Sequence, residues 1–235
     1  MTGRISLLAT VSISVLALSV GGAAAGERKL PATHVRGEVH RVIAASPGSI
    51  TLYDQNSDDS DAGILSTNFT DFDSFDSYGA DDFTVPVGHK WKIRQIEVSG
   101  SYAAGDGNAG PAASESVFFY RDNHGLPGEL VAKCEQIKGK DNQGSFAIKL
   151  PKSCKVVLKS GNRYWISVFA NMDIACCGQW NWSTRDGQNG KPAAWENPGG
   201  GFRICPVWEH MITCMGDAGE GPDFRFALKG KDIEL

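Results

Sequence analysis

Apolar and polar residues alternate with a period of two through much of this chain. Apolar side chains occupy every second position from Phe146 to Leu150, and the same alternation recurs in 164–169 and 224–229. Because every second side chain of a strand shares one face, each segment predicts a half-buried β-strand. In 91–98 the apolar phase slips between Arg94 and Gln95, which is typical of a β-bulge.

Shorter apolar runs separated by turn signals extend this pattern. They predict further strands at 35–44, 49–53, 82–85, 116–120 and 130–137. Turn-forming pairs such as Pro47-Gly48, Pro127-Gly128 and Asn189-Gly190 lie between the runs, and no long stretch after residue 25 keeps a helical period. Many short strands joined by turns predict an all-β fold, an antiparallel β-sandwich or jelly roll.

The N-terminus has the three parts of an export signal. Arg4 supplies the positive charge, 5–20 is apolar apart from small hydroxyl residues, and Ala23-Ala24-Ala25 supplies small side chains for cleavage after Ala25. A membrane anchor is the alternative, but the apolar stretch is short and interrupted. We therefore expect a secreted protein, at the cell surface, in the medium or in the periplasm, with no membrane span in the mature chain.

Composition and charge limit the function further. The chain has 235 residues, 41% hydrophobic and 21% charged, which is typical of a globular protein. We expect a signal peptide at 1–25, an N-terminal arm with an acidic loop at 26–67, a β-sandwich domain at 68–230 and a tail at 231–235. The net charge of −4 argues against a nucleic-acid partner or an anionic membrane.

In an oxidising compartment, an even number of cysteines predicts disulfides before it predicts a zinc site. The six are Cys134, Cys154, Cys176, Cys177, Cys205 and Cys214. A bridge between Cys134 and Cys154 would close the excursion through the strand at 145–151, and Cys205 with Cys214 would close a short loop. Cys176 and Cys177 would then bond to each other or stay reduced. Crossed pairing of these two with Cys205 and Cys214 is the competing arrangement.

Six motifs follow one another in a recognisable order. They are Ala80-Asp81-Asp82-Phe83-Thr84-Val85-Pro86, Trp91-x-Ile93, Phe119-Tyr120-x-Asp122-x-x-Gly125-x-Pro127-Gly128, Tyr164-Trp165-Ile166-Ser167-Val168, Gly178-Gln179-Trp180-x-Trp182 and Ala193-Ala194-Trp195-x-Asn197-Pro198-Gly199-Gly200-Gly201-Phe202. Over about 68–230 the chain resembles a β-sandwich module of bacterial secreted and cell-surface proteins. The resemblance implies a sandwich and a surface location but supplies no catalytic residues. Cys176-Cys177 and the N-terminal arm depart from it.

A cluster of tryptophans and polar donors is the strongest indication of binding. The candidate ligand-binding residues are Trp180, Trp182, Trp195, Trp208, Arg185 and Asn197. Flat aromatic faces beside amide and guanidinium groups suit sugar rings. Trp195 and Trp208 lie in Gly- and Pro-rich segments, so we expect them to be exposed. Trp180 and Trp182 share a strand face and are explained equally well as core.

The acidic segment 54–61 is a candidate calcium loop. Asp54, Asn56, Asp58 and Asp61 place oxygen ligands at intervals that suit a hard cation, although the segment is not an EF-hand. The alternative is a solvated acidic loop.

Paired carboxylates leave room for an extracellular glycan-active hydrolase. The candidates are Asp81, Asp82, Asp122, Glu196, Asp217 and Asp223, and adjacent Asp81 and Asp82 would point to opposite faces of a strand. The preferred interpretation is a non-catalytic binding module for a glycan. A structural or adhesion domain with a surface protein as partner is the other alternative.

Overall fold

The computed structural model describes residues 48–104, 109–216 and 221–235. The predicted signal peptide at 1–25 and the predicted strand at 35–44 lie outside the described residues. None of the helices within the described ranges is both long and apolar enough to span a membrane.

The described chain consists mostly of antiparallel strands. They are β1 (Ile50–Asp54), β2 (Asp59–Leu65), β3 (Thr67–Phe69), β4 (Tyr78–Thr84), β5 (His89–Val98), β6 (Gly100–Ala103), β7 (Ser114–Asn123), β8 (Leu126–Ile137), β9 (Lys140–Asn142), β10 (Ser145–Lys149), β11 (Val156–Leu158), β12 (Arg163–Met172), β13 (Gln179–Arg185), β14 (Ala194–Glu196), β15 (Glu209–His210), β16 (Asp223–Phe224) and β17 (Phe226–Glu234). A 3₁₀ turn (Asp73–Phe75) and two short helices, α1 (Ile174–Cys177) and α2 (Met211–Met215), complete the described elements. The predicted all-β class is confirmed.

The strands form three sheets. The six-stranded sheet has the order β1-β17-β5-β10-β9, with β11 also on β5. The seven-stranded sheet has the order β15-β14-β4-β12-β7-β8, and β3 pairs in parallel with β12. The third sheet has β13 at its centre, bordered by β16, β2 and β6. One apolar core includes side chains from all three sheets, such as Ile96, Ile166 and Trp182.

The predicted irregularity in 91–98 is a β-bulge at Arg94. Gln95 pairs with Lys229 on β17, whereas Ile93 pairs with Gly230, so Arg94 has no partner of its own on that side. An extra residue bends a strand and redirects its side chain. The phase slip in the sequence and the bulge in the sheet are therefore the same feature.

Strands lie on both sides of the predicted boundary at residue 68, and β17 includes most of the predicted tail at 231–235. β1 pairs with β17, and β2 pairs with β13, so 50–54 and 59–65 of the expected arm belong to the sheets. β17 continues to Glu234 and pairs there with the start of β5. Of these segments only 49–53 was predicted as a strand, because polar strands at a sheet edge carry weaker alternation than central strands.

Three disulfides join the six cysteines in sequence order. Cys134 is bonded to Cys154 and Cys205 to Cys214, the two pairs that the sequence analysis favoured. Cys176 and Cys177 are bonded to each other in α1, so the crossed arrangement does not occur. Cys134 lies on β8 of the seven-stranded sheet, and Cys154 lies between β10 and β11 of the six-stranded sheet, so this bridge ties two sheets together.

Candidate functional site

A row of aromatic side chains runs across the face of the seven-stranded sheet that points away from the core. On β12, Ile166, Val168 and Ala170 belong to the core, so the intervening Phe169 lies on the opposite face. Its ring centroid is 4.6 Å from that of Tyr78 on β4. On β7, the ring of Phe118 meets Phe169 edge-on at 5.1 Å, and Tyr120 follows at 6.4 Å from Phe118. Four aromatic rings from three strands thus form one continuous surface.

This surface lines a groove of about 560 Å³, which we call the outer groove. Its polar lining comes from the same strands and their neighbours: Asn68, Ser116, Lys133, Glu135, Gln136, Asn171 and Glu196. Register explains the mixture, because Ser116 pairs with Phe169 and Lys133 pairs with Phe118 across adjacent strands. Donors, acceptors and aromatic rings therefore alternate along one groove.

Hydrogen bonds hold the polar groups of the outer groove in place. The Asn171 amide donates to Ser114 Oγ at 3.1 Å and to Ser116 Oγ at 3.0 Å. The Tyr78 hydroxyl donates to Asn68 Oδ1 at 2.9 Å. Side chains fixed in this way lose little further entropy when a ligand binds.

The charged groups of the outer groove differ in their surroundings. Lys133 Nζ lies 2.9 Å from Glu135 Oε1 and 5.7 Å from the centre of the Phe118 ring. Glu196 lies on β14 and makes no side-chain hydrogen bond or ion pair with the described residues. Burial raises the pKa of Glu196 to about 7, because a carboxylate loses hydration there without gaining a partner. A carboxyl that is partly protonated near pH 7 can donate or accept a hydrogen bond.

Trp208 is the one candidate tryptophan that lies near this surface. Its ring meets Tyr120 at 5.8 Å in an edge-on arrangement. It is half-buried and covers a small second apolar cluster on the same face, formed by Ala80, Trp165 and Ala194. Trp208 therefore borders the aromatic row, although it does not line the outer groove.

The other three tryptophans are core residues, and the expectation that Trp195 is exposed is wrong. Trp180 and Trp182 are fully buried, and Trp195 is 1% exposed. The segment of Trp195 is a strand, β14, whose pairing with β4 turns the indole inward. There its Nε1 donates to the Leu65 carbonyl at 2.8 Å. None of these indole rings offers a stacking face to a ligand.

The remaining candidate donors also serve the fold. Asn197 is fully buried, and its amide donates to the carbonyls of Ser74 and Asp76 at 3.0 and 2.7 Å. Arg185 is 9% exposed and forms an ion pair with Asp58 at 2.9 Å. Asn197 thus uses its amide within the fold, Arg185 is largely enclosed beside Asp58, and neither side chain lines the outer groove.

The carboxylates of the acidic segment face arginines. Asp58 pairs with Arg185 and Asp59 with Arg225, whose guanidinium also donates to the Asn56 carbonyl. The Asp54 carboxylate accepts from the Asn56 backbone N–H at 3.0 Å, as in a local turn. In 48–104, 109–216 and 221–235 no three acidic, histidine or cysteine side chains converge as metal ligands. The loop geometry is that of a strand connection held by arginines, and calcium binding by Asp54, Asn56, Asp58 and Asp61 stays a prediction.

A pair of buried carboxyls lies elsewhere, between β4 and β16. Asp81 Oδ2 accepts from Gln55 Nε2 and from the Phe224 N–H, both at 2.7 Å, and Asp223 accepts from the Asn189 N–H. Burial, together with the neighbouring Asp223, raises the pKa of Asp81 well above its usual value. Burial likewise raises the pKa of Asp223 to about 7. Since both side chains are 0% exposed, this pair cannot reach a substrate and belongs to the core.

Comparison of the chain with family models, curated proteins and solved structures finds no match. The outer groove is therefore the feature from which a function is inferred.

Proposed function

We propose that this protein is a secreted, non-catalytic binding module that holds a carbohydrate in the outer groove. The observation that carries the proposal is the alternation of aromatic rings with amide, hydroxyl and carboxyl groups in one groove of about 560 Å³. Sugars have apolar C–H faces and polar edges, so a site for them needs both kinds of group close together.

The arrangement divides these tasks between strands. Phe118 and Tyr120 on β7 are half-buried, so each keeps part of its ring free for stacking. Asn171 on β12 and Glu196 on β14 stand beside the rings and reach the hydroxyl groups of a stacked sugar. A protein partner would be favoured instead by a continuous apolar patch, and the polar lining of the outer groove argues against that alternative.

Replacing Phe118 by Ala should weaken glycan binding by about 1–3 kcal/mol, the range for losing an aromatic anchor. A polysaccharide and glycan-array screen would identify the ligand, and calorimetric titration of wild type and variant would give the two affinities. Val157→Ala is the matched control, because it truncates an exposed apolar side chain on the six-stranded sheet. Equal affinity of wild type and Phe118→Ala for a glycan that binds would place the sugar outside this groove.

Glu196 and Glu135 both line the outer groove, and this observation supports a hydrolase as the second candidate. The raised pKa of Glu196 is what a general acid requires, and a second carboxylate would serve as base or nucleophile. The binding proposal and the hydrolase differ in what happens to the bound glycan.

We expect the bound glycan to stay intact and Glu196→Gln to keep affinity within about threefold, since the amide mimics a protonated carboxyl. The measurement is release of reducing ends during prolonged incubation, with Glu135→Gln as the companion variant. Release by wild type that falls by about 100-fold or more in Glu196→Gln would establish the hydrolase.

A further inference from the structure

A second groove, of about 560 Å³, lies on the six-stranded sheet and is lined by basic residues. Two segments border it, β5 and the connection between β10 and β11. The cations of this basic groove are Lys92, Arg94, Lys149, Lys152 and Lys155. No acidic side chain of the described chain lines it.

The basic groove lies where β5 changes its neighbour, beside the bulge at Arg94. β10 pairs with β5 from Gln95 onward, and β11 pairs with it up to Ile93, so the sheet has a break at Arg94. The connection 150–155 crosses the break, held by a hydrogen bond from the Leu150 N–H to the Arg94 carbonyl at 2.9 Å. The disulfide from Cys134 fixes Cys154 in the same connection. The connection 150–155, which carries Lys152 and Lys155, is therefore fixed at both ends.

The charge of the basic groove is not neutralised within the described parts of the chain. None of its five cations forms an ion pair there, whereas Arg163, Arg185, Arg225 and Lys229 all do. Clustered like charges repel one another, and a concave site concentrates their field. The five cations cluster here although the whole chain carries a net charge of −4. Such a cluster suits an anionic ligand that is supplied from outside.

We propose that the basic groove binds an acidic polysaccharide through its repeated carboxylate or sulfate groups. The cations come from two segments that border a groove, which fits an extended chain with anionic groups along its length. No aromatic side chain lines the groove, so it lacks the stacking surface on which single-stranded nucleic acids are bound. The three disulfides agree with an oxidising compartment, where such polysaccharides occur.

The test measures binding of the full oxidised chain to polygalacturonate and to dextran sulfate, with neutral dextran as control. Both polyanions should bind, dextran should not, and affinity should fall as sodium chloride is raised, because exposed charges are screened. The triple variant Lys149→Ala, Lys152→Ala, Lys155→Ala should lose about tenfold or more in affinity. Replacing the same three lysines by Arg should keep binding, which separates loss of charge from loss of fold.

The matched control replaces three exposed lysines outside the groove, Lys138→Ala, Lys140→Ala and Lys159→Ala, and changes net charge equally. It should leave affinity within about twofold. An equal loss in both triple variants, or no binding of either polyanion, would overturn the proposal. Polyuridylate binding as tightly as polygalacturonate through the same lysines would overturn it too. Phe118→Ala should leave polygalacturonate binding unchanged, and a loss there would move the acidic sugar to the outer groove.

Discussion

Replacing Trp195 by Ala should lower the free energy of unfolding by about 3–5 kcal/mol, the cost of a large cavity in a packed core. The ring is 1% exposed, and its N–H donates to the Leu65 carbonyl, so the variant loses packing and a buried hydrogen bond. Chemical denaturation monitored by circular dichroism gives the two free energies.

Trp208→Ala is the natural comparison for this variant. Its ring is half-buried and covers only the small cluster around Trp165, so less packing is lost. We expect the cost to be less than half of that for Trp195→Ala. Equal costs would mean that the loop of Trp208 is as much a part of the core as β14.

Stability should fall by at least about 3 kcal/mol as pH rises from 4 to 8, because the pKa values of buried carboxyls are raised on folding. Asp223, whose pKa is raised to about 7 by burial, keeps its proton in the folded state at pH values where the unfolded chain has released it. Its contribution is fully present below about pH 4 and is lost as pH rises through 7. Glu196 acts in the same direction.

Asp223→Asn should remove a large part of this slope and be more stable than wild type at pH 8. The asparagine side-chain oxygen can still accept from the Asn189 N–H, so the variant loses charge rather than its partner. Urea denaturation at pH 5, 6.5 and 8 measures the effect, with the exposed Asp61→Asn as control. A wild type that is as stable at pH 8 as at pH 5, with no gain in Asp223→Asn, would contradict the prediction.

Features that depend on a few consecutive residues were predictable. The strands at 145–151 and 164–169 follow from alternation alone, and the bulge at Arg94 follows from a phase slip. The cysteine pair closing the excursion from 134 to 154 could be inferred from its position around one strand.

Features that depend on distant pairing could not be predicted in this way. The start of β2 lies in the acidic segment 54–61, and it is a strand because it pairs with β13, more than 100 residues further along the chain. Trp195 is buried because β14 pairs with β4, a contact between segments more than 100 residues apart.

The outer groove shows the same limit. Phe169 and Phe118 were visible in the sequence as aromatic residues on alternating strands. Only the register of β12 with β7 shows that they lie on one face with Ser116 and Asn171 between them. The tryptophans directed the sequence interpretation to 180–208, whereas the aromatic side chains of the outer groove are phenylalanine and tyrosine.

The bridge between Cys134 and Cys154 has a mechanical consequence. When a domain is pulled from its two ends, it extends as its strands detach. The segment enclosed by a disulfide cannot be extended, because the covalent bond carries the force past it. The two cysteines are 20 residues apart in the sequence, so about 70 Å of extended chain is not released under tension. Because the bond joins two different sheets, it also opposes their separation. Under load, each unfolding step of the oxidised form should therefore extend the chain less than in the reduced form.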